Sequence, residues 1–328
     1  MSAAQTMAGT DVLIMSCGDP AGIGPELAVR AARSDVPRFV WLGDPAHLPA
    51  DTRWQAVTSP AGARALSPDI LPVLPHAFPA PARPGQPDPA NAPAIIEVIR
   101  RAVALVQSGA ASGLVTCPIN KAGLKTGAAF AFPGHTEFLA DLAGGVSVVM
   151  MLACDTLRVV PVTIHIPLCD VPHHLTPEAL EQCLRVTKAG LMRDFGIPNP
   201  RIAVAGLNPH AGESGTMGRE EIEITAPVLE RLRAEGWDLS GPLPADTMFH
   251  ASARAQYDVA VCMYHDQALI PIKTLDFAGG VNVTLGLPFI RTSPDHGTAY
   301  GIAGKGLADP TSLIAALRCA AKMAEQRL

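Results

Sequence analysis

The sequence predicts an α/β fold built on a largely parallel β-sheet. Strand-like and helix-like segments alternate nearly throughout its 328 residues, an arrangement that is typical of parallel strands with covering helices. The segment YDVAVCMYHD, residues 257–266, is apolar without polar alternation, as buried parallel strands are. A composition of 48% hydrophobic and 17% charged residues is typical of a compact chain with a sizeable core.

In the first half of the chain, three apolar runs predict strands at residues 12–16, 39–42 and 113–117. The segment GDPAGIGPE, residues 18–26, joins the first strand to a helix that has Pro25 at an early position. Its glycines would let the backbone approach a ligand closely. The spacing is not GxGxxG, however, and a plain tight turn explains the glycines equally well.

The proline-rich segment 72–93 predicts an extended surface crossing, because proline fits neither a regular helix nor a central strand. Asn91 is then the predicted N-cap of the following helix. Farther along, GHTEFLADLAG, residues 134–144, places His135 and Thr136 at the start of a helix, where free N–H groups and the helix dipole favour an anion. The alternative is that Thr136 only caps this helix.

Three strand-like segments each lead to a histidine: VVPVTIH to His165, RIAVAGLNPH to His210 and YDVAVCMYHD to His265. Ligands of open α/β sheets bind beyond the carboxyl ends of the strands, so we expect the three imidazoles to converge. Three neutral imidazoles suit a divalent metal such as zinc and leave one coordination position open. Each histidine alone is more simply a structural residue, and without an HExxH motif the convergence depends on the fold.

Basic and polar side chains in apolar surroundings predict an anion site beside the metal. A buried cation needs an anionic partner, which a phosphorylated or carboxylated small molecule would supply. The alternative is an internal salt bridge with Asp266, Asp276 or Asp295. The candidates for the anion site are Lys273, Asn282, Arg291, His135 and Thr136.

A second glycine-rich loop, DHGTAYGIAGKG at residues 295–306, suits a nucleotide that lies along the backbone. Such loops are common, so the pattern alone is weak. A metal beside an anion site can lower the pKa of an alcohol and polarise the carbonyl that its oxidation produces. The hydride that leaves would then need a redox cofactor.

The composition also excludes some classes of function. A formal net charge of −5 argues against a general nucleic-acid surface. Seven cysteines without a CxxC pair indicate neither a disulfide framework nor a zinc ribbon, and a reducing cytoplasm fits best. No leader-like segment and no membrane-spanning apolar stretch is expected.

Seven motifs resemble, in order and over nearly the whole chain, those of the 4-hydroxythreonine-4-phosphate dehydrogenase family of vitamin B6 biosynthesis. The segment HGTAYGIAGKGLADP also resembles the cofactor loop of the wider isocitrate and isopropylmalate dehydrogenase superfamily. The seven motifs are GDPAGIGPE (18–26), PINK (118–121), GHTEF (134–138), LNPHAGE (207–213), GPLPADT (241–247), YHDQ (264–267) and VNVTLGLPFIRTSPDHGTA (281–299).

The resemblance implies a two-lobed α/β/α fold of the isocitrate/isopropylmalate dehydrogenase type. It implies an outer lobe of residues 1–130 and 285–328 with the cofactor loops, and a lobe of residues 131–284 for metal, substrate and dimerisation. It also implies that a metal site shared across a homodimer is formed by His165, His210 and His265.

The implied reaction is oxidation of 4-phosphooxy-threonine to a 3-keto acid that decarboxylates to 3-amino-2-oxopropyl phosphate. NAD or NADP is the implied cofactor, and Zn, Mg or Co is the implied metal. Gly301 stands where the superfamily often has an acidic residue, and this difference leaves the choice between NAD and NADP open. Asp246 and Asp266 are candidates for orientation or proton transfer, with orientation favoured. The implied substrate residues are His135, Thr136, Lys273, Asn282 and Arg291, and the expected cofactor residues are Gly22, Gly24, His296 and Gly297.

Three alternatives stay open. The chain could oxidise a related substrate, such as a phosphorylated threonate or erythronate or a dihydrodiol carboxylate. It could use the same histidines as a metal-dependent lyase or hydrolase without hydride transfer. It could also bind a phosphorylated metabolite without changing it.

Overall fold

The structure is a computed structural model that describes residues 11–328. Residues 1–10 lie outside the described residues. They contain the start of the predicted outer lobe and most of the segment in which no leader is expected. The chain divides into two compact units. Unit 1 consists of Met1–Val146 and Leu287–Leu328, and unit 2 of Ser147–Gly286. Residues 131–146, which the sequence analysis assigned to the metal-binding lobe, therefore belong to unit 1.

The described residues form twelve strands. In chain order these are β1 (Leu13–Ser16), β2 (Phe39–Gly43), β3 (Trp54–Ala56), β4 (Leu71–Pro75), β5 (Leu114–Thr116), β6 (Val149–Cys154), β7 (Leu157–Thr163), β8 (Ile202–Ala205), β9 (Leu239–Leu243), β10 (Val259–Tyr264), β11 (Val281–Leu285) and β12 (Arg291–Pro294).

The same residues form ten α-helices. None of the helices within 11–328 is long and apolar enough to cross a membrane. The helices are α1 (Gly24–Ala32), α2 (Ala92–Gln107), α3 (Lys121–Ala128), α4 (His135–Leu142), α5 (Val171–His174), α6 (Pro177–Phe195), α7 (Ala226–Ala234), α8 (Ala251–Arg254), α9 (His265–Leu275) and α10 (Thr311–Gln326).

Unit 1 is built on parallel strands in the order β3-β4-β2-β1-β5-β12. Ile14 of β1 pairs with Val40 on one side and with Leu114 on the other. All four residues of β1 are buried, because α2 packs on this strand and α10 packs on β12 and β5. This is the covered parallel sheet that the apolar runs predict.

Unit 2 has a mixed sheet in the order β11-β6-β7-β10-β8-β9. Strand β6 is antiparallel to both of its neighbours, whereas β7, β10, β8 and β9 are parallel. Helix α9 packs on β7 and β10, and apolar side chains such as Val159, Cys262 and Leu269 form the core between them. The predicted α/β class and largely parallel sheet are confirmed.

The prediction for the proline-rich segment is wrong at its start. Strand β4 contains Pro72 and Pro75 and lies between β3 and β2. Leu71 N donates to Arg53 O on the β3 side, so by alternation Pro72 faces β2 and Pro75 faces β3. Pairing with β2 begins only at Val73, and pairing with β3 ends there. Both prolines therefore face a side where no partner strand needs their missing N–H.

Two other local predictions are correct only in part. Asn91 occupies the N-cap position of α2 as predicted, but its Oδ1 accepts from Ala80 N at 3.0 Å and so ties the helix start to the proline-rich segment. The passage 241–247 is not irregular throughout, because its first residues belong to β9, which pairs with β8.

Candidate active site

The predicted metal ligands His165 and His265 lie together in unit 2. Strands β7 and β10 are neighbours with Thr163 paired to Tyr264. His165 follows the end of β7 by two residues, and His265 is the first residue of α9. The two imidazole centroids are 5.8 Å apart with an angle of 42° between the rings. Two such nitrogen donors fit as ligands of one metal ion.

His210 lies on the loop that follows β8, in the turn Pro209–Gly215, and is exposed. Within residues 11–328, no group of three or more His, Cys, Asp or Glu side chains could hold a metal ion. One chain therefore brings together two of the three predicted imidazoles. We call His165, His210 and His265 the histidine edge, and its role as a three-ligand metal site stays a prediction.

Asp266 contacts the ring of His265. Its Oδ1 lies 2.7 Å from Nδ1 of His265, although the Asp266 side chain is 69% exposed. A carboxylate at Nδ1 leaves Nε2 as the nitrogen available to a metal. This contact favours orientation over proton transfer as the role of Asp266. Asp246 is exposed in the short turn Ala245–Thr247, and its role stays a prediction.

Sequence reasoning missed Gln267 as a residue of this region. Its side-chain oxygen accepts from Met263 N at 2.7 Å, and its Nε2 donates to Gly206 O at 2.8 Å. Gln267 therefore ties the start of α9 to the end of β8, from which the His210 loop departs. The motif YHDQ contained the only signal, as a polar residue two positions after the histidine.

In unit 1, His135 is the first residue of α4. The N-cap is Gly134, which has no side chain, so the alternative role of Thr136 as the cap is wrong. His135 is half-buried, and its Nε2 is buried without a hydrogen-bond partner among the described residues. Burial, with the positive charges of Arg291 and Lys121, holds the pKa of His135 well below its ordinary value of 6.5. The imidazole is therefore neutral near pH 7.

Arg291, the first residue of β12, is only 3% exposed. Its Nε and Nη2 donate to Thr116 Oγ1 at 3.2 and 2.7 Å. Burial lowers the pKa of Arg291 to about 10, and the negative charge of Glu137 opposes this shift. The guanidinium stays charged at neutral pH in a poorly hydrated place, where an anion would be bound strongly. Sequence reasoning missed Thr116, whose signal was a polar residue at the end of a buried strand.

Lys121 was also missed. It is the first residue of α3, and its side chain passes close to Gly134. A Cβ added to Gly134 would lie 3.2 Å from Lys121 Cε and 3.3 Å from Glu137 Oε2. The motif PINK contained this lysine without a role. We call His135, Lys121 and Arg291 the basic cluster of unit 1.

The other two predicted substrate residues belong to unit 2. Lys273 lies on α9 with its Nζ 5.7 Å from the ring centroid of Phe277. Asn282 lies on β11, and its Oδ1 is buried without a hydrogen-bond partner in the described part of the chain. An unpartnered amide oxygen suits a ligand that donates a hydrogen bond, such as a hydroxyl or an ammonium group.

The predicted cofactor loops of unit 1 contact each other. Ile23 N donates to Thr298 O at 3.1 Å, and a Cβ at Gly22 would lie 2.8 Å from Thr298 O, so only glycine fits there. Tyr300 Oη donates to Asp19 Oδ2 at 2.7 Å. His296 has an Nε2 that is buried without a partner among residues 11–328.

The two remaining cofactor candidates differ. Gly297 faces open space, since no atom of residues 11–328 lies within 4 Å of the position that its Cβ would take. Gly24 packs against Cys17 O, where a Cβ would lie at 2.5 Å, and so has a structural reason to be glycine. Beside Gly22 is a cavity of about 520 Å³, a size that suits a small organic ligand. Its lining includes Glu26 and His47, whose Oε1 and Nδ1 are buried without partners among the described residues.

Comparison with known proteins gives one consistent family. A family model described as Pyridoxal phosphate biosynthetic protein PdxA matches residues 36–320. The 4-hydroxythreonine-4-phosphate dehydrogenase of Paracoccus denitrificans (strain Pd 1222) is 66% identical over 319 residues, which cover 96% of this chain and 98% of that protein. The protein of that name from Roseobacter denitrificans (strain ATCC 33942 / OCh 114) is 60% identical and covers 97% of this chain and 99% of its own length.

A solved structure agrees with these relatives. The crystal structure of 4-hydroxythreonine-4-phosphate dehydrogenase from Klebsiella pneumoniae superposes on this chain with a TM-score of 0.88 at 38% identity. The match covers 96% of this chain and 100% of that chain.

Proposed function

This chain belongs to the family of the pyridoxal phosphate biosynthetic protein PdxA, and from that premise we propose that it is a dehydrogenase of 4-hydroxythreonine-4-phosphate. The hydride acceptor is NAD or NADP, and the 3-keto acid product loses carbon dioxide to give 3-amino-2-oxopropyl phosphate. The observation that carries the proposal is the 66% identity to an enzyme of that name over 96% of the chain.

The proposed metal site contains His165 and His265 of one chain and His210 of the partner subunit. The support is the 5.8 Å separation of the first two rings and the lack of a third ligand nearby within the described residues. A bound Zn, Mg or Co ion would acidify the substrate hydroxyl and polarise the carbonyl formed from it. Asp266 holds the ring of His265 in the tautomer that leaves Nε2 free to bind.

The basic cluster of unit 1 binds a negatively charged group of the substrate. Neutral His135 offers a ring nitrogen that has no hydrogen-bond partner within residues 11–328, and Arg291 offers a charged planar fork whose position Thr116 fixes. The Thr136 hydroxyl adds a further donor at the start of α4. These groups suit a phosphate or a carboxylate.

In unit 2, Asn282 and Lys273 are the proposed substrate residues. The buried Oδ1 of Asn282 accepts from a substrate hydroxyl or ammonium group. Lys273 is a half-buried cation on α9, whose first residue is His265, and it attracts substrate carboxylate or phosphate. Asp246 stays a candidate for orientation or proton transfer.

The dinucleotide is proposed to lie along the two contacting loops of unit 1, at Gly22, Gly24, His296 and Gly297. This placement is supported by the buried Nε2 of His296 and the open face of Gly297, neither of which has a neighbouring partner in the described part of the chain. A homodimer is part of the proposal, because the metal site needs His210 of the partner subunit. A cytoplasmic location is proposed as well, supported by seven cysteines that are all free.

The test is a panel of candidate substrates read at the absorbance band of reduced nicotinamide, with NAD and NADP, with and without a chelator. We expect 4-hydroxythreonine-4-phosphate to reduce the nucleotide, the chelator to stop the reaction, and added divalent metal to restore it. Reduction with a phosphorylated threonate or a dihydrodiol carboxylate alone would reassign the substrate. Product without nucleotide reduction would indicate a lyase or hydrolase, and binding without any product would indicate a non-enzymatic binder.

A further inference from the structure

The loop that presents His210 has an unusual backbone. From His210 to Ser214 five consecutive residues have positive φ, with values of 53°, 52°, 81°, 41° and 57°. Only the third of them, Gly212, is a glycine. The left-handed region is unfavourable for residues with a Cβ, so this turn persists only if its surroundings hold it in place.

Glu221 is the group around which the turn closes. It is 3% exposed and begins the π-helical turn Glu221–Thr225 that leads into α7. Its Oε1 accepts from Asn208 N at 2.8 Å, and its Oε2 accepts from Asn208 Nδ2 at 3.0 Å. A Cβ at Gly212 would lie 2.6 Å from Oε2. The carboxylate therefore contacts the chain on both sides of His210.

Glu220 fixes the orientation of the Asn208 amide. Asn208 Nδ2 donates to Glu220 Oε2 at 2.6 Å as well as to Glu221. If the amide rotated by half a turn, its oxygen would face two carboxylates. The bonds from Asn208 to Glu221 are thus set in one direction, with Asn208 as donor and Glu221 as acceptor.

We propose that Glu221 is a positioning residue that holds His210 where its imidazole can bind the metal of the shared site. The proposal rests on the proposed function, because only there is His210 a metal ligand. A purely structural carboxylate would affect folding and leave the metal affinity of the folded protein unchanged. The two roles therefore separate in a direct measurement of metal binding.

The first variant is Glu221→Gln, which keeps the shape of the side chain and turns one acceptor into a donor that faces Asn208 Nδ2. Co²⁺ affinity of the folded dimer is measured by competition with a chelating dye, with circular dichroism as the check of folding. We expect the Co²⁺ dissociation constant to rise about tenfold, as for other groups that orient metal ligands. At saturating Co²⁺ the turnover number should return to near the wild-type value.

The matched control is Glu223→Gln, which makes the same change two residues along on a side chain that is 57% exposed. Its Co²⁺ affinity should equal that of the wild type. If Glu221→Gln does not fold, Gly212→Ala replaces it, because the added Cβ displaces the turn and leaves the carboxylate of Glu221 intact. We expect this variant to weaken Co²⁺ binding to a similar extent.

Wild-type affinity in folded Glu221→Gln, or in folded Gly212→Ala where the first variant does not fold, overturns the positioning role while the proposed function stands. A wild-type protein that binds no Co²⁺ overturns the proposed metal site and the positioning role together.

Discussion

The histidine edge of unit 2 and the basic cluster of unit 1 place functional groups in opposite surroundings. His165 and His210 are exposed, and their positions follow from where strands and loops end. Arg291 is 3% exposed and the ring nitrogen of His135 is buried, so burial sets their electrostatic properties. The difference teaches that changes at the histidine edge should alter metal affinity, whereas changes in the basic cluster should alter substrate affinity and pH dependence.

The largest effect is expected for Arg291→Lys. Lysine keeps the charge but cannot reproduce the planar fork that bonds to Thr116. Loss of a charge-assisted bond to the substrate predicts a fall in kcat/KM of about 100-fold, the equivalent of roughly 2–3 kcal/mol. Steady-state kinetics at the nicotinamide band measure it, and the Co²⁺ dissociation constant should stay unchanged.

Arg318→Lys is the control for this prediction, since Arg318 is exposed and its Nη2 donates to the backbone carbonyl of Asp35 at 2.8 Å. If the metal affinity of Arg291→Lys falls together with its kcat/KM, the basic cluster also affects metal binding and the proposed division of roles between the two regions is wrong.

A smaller effect, on metal affinity and not on substrate affinity, is expected for Asp266→Asn. The amide keeps the size of the side chain but weakens the bond that orients His265. We predict a loss of about tenfold in Co²⁺ affinity with little change in the Michaelis constant for the substrate at saturating metal. If kcat at saturating metal instead falls strongly while metal affinity is kept, Asp266 acts in proton transfer and the orienting role is wrong.

The third prediction concerns His135 and pH. The folded chain holds the pKa of His135 well below 6.5, whereas the unfolded chain protonates it at its ordinary value. Between these two pKa values the unfolded state binds one more proton, so the free energy of unfolding falls as pH is lowered, by at most about 1.4 kcal/mol per pH unit. Above the unfolded pKa the imidazole is neutral in both states, so the penalty is absent and the free energy of unfolding no longer depends on His135 protonation.

Urea unfolding of the wild type and of His135→Gln between about pH 5.5 and 7.5 isolates this contribution, because the other histidines affect both proteins equally. The stability of the variant should depend less on pH. Equal dependence in the two proteins would show that His135 titrates normally in the folded chain.

The strand-end histidines illustrate what could be predicted from the sequence. Apolar runs that lead to His165 and His265 predict parallel strands, and the structure has β7 and β10 side by side. The order of strands across the sheet could not be derived, because it depends on pairings between distant residues. For the same reason Thr116 was missed, since its bond to Arg291 joins strands that are 175 residues apart.

Pro72 illustrates a different limit. The rule that excludes proline from inner strands depends on which N–H groups have a partner strand, and the staggered ends of β3 and β2 decide that. The backbone of the His210 loop could not be predicted either, because Ala211 and Ser214 adopt a conformation that their side chains disfavour. Such a backbone needs support from its surroundings, and the buried carboxylate of Glu221, which accepts from Asn208 just before the turn, is a contact between residues distant in the sequence.

The most direct test of the account mixes two inactive variants, His210→Ala and His265→Ala. If each metal site takes His165 and His265 from one chain and His210 from the partner subunit, every mixed dimer has one intact site and one doubly altered site. Random exchange of subunits should then restore about a quarter of the wild-type activity and metal content. No recovery in verified mixed dimers would contradict the account, because the three histidines would then have to meet within one chain or not at all.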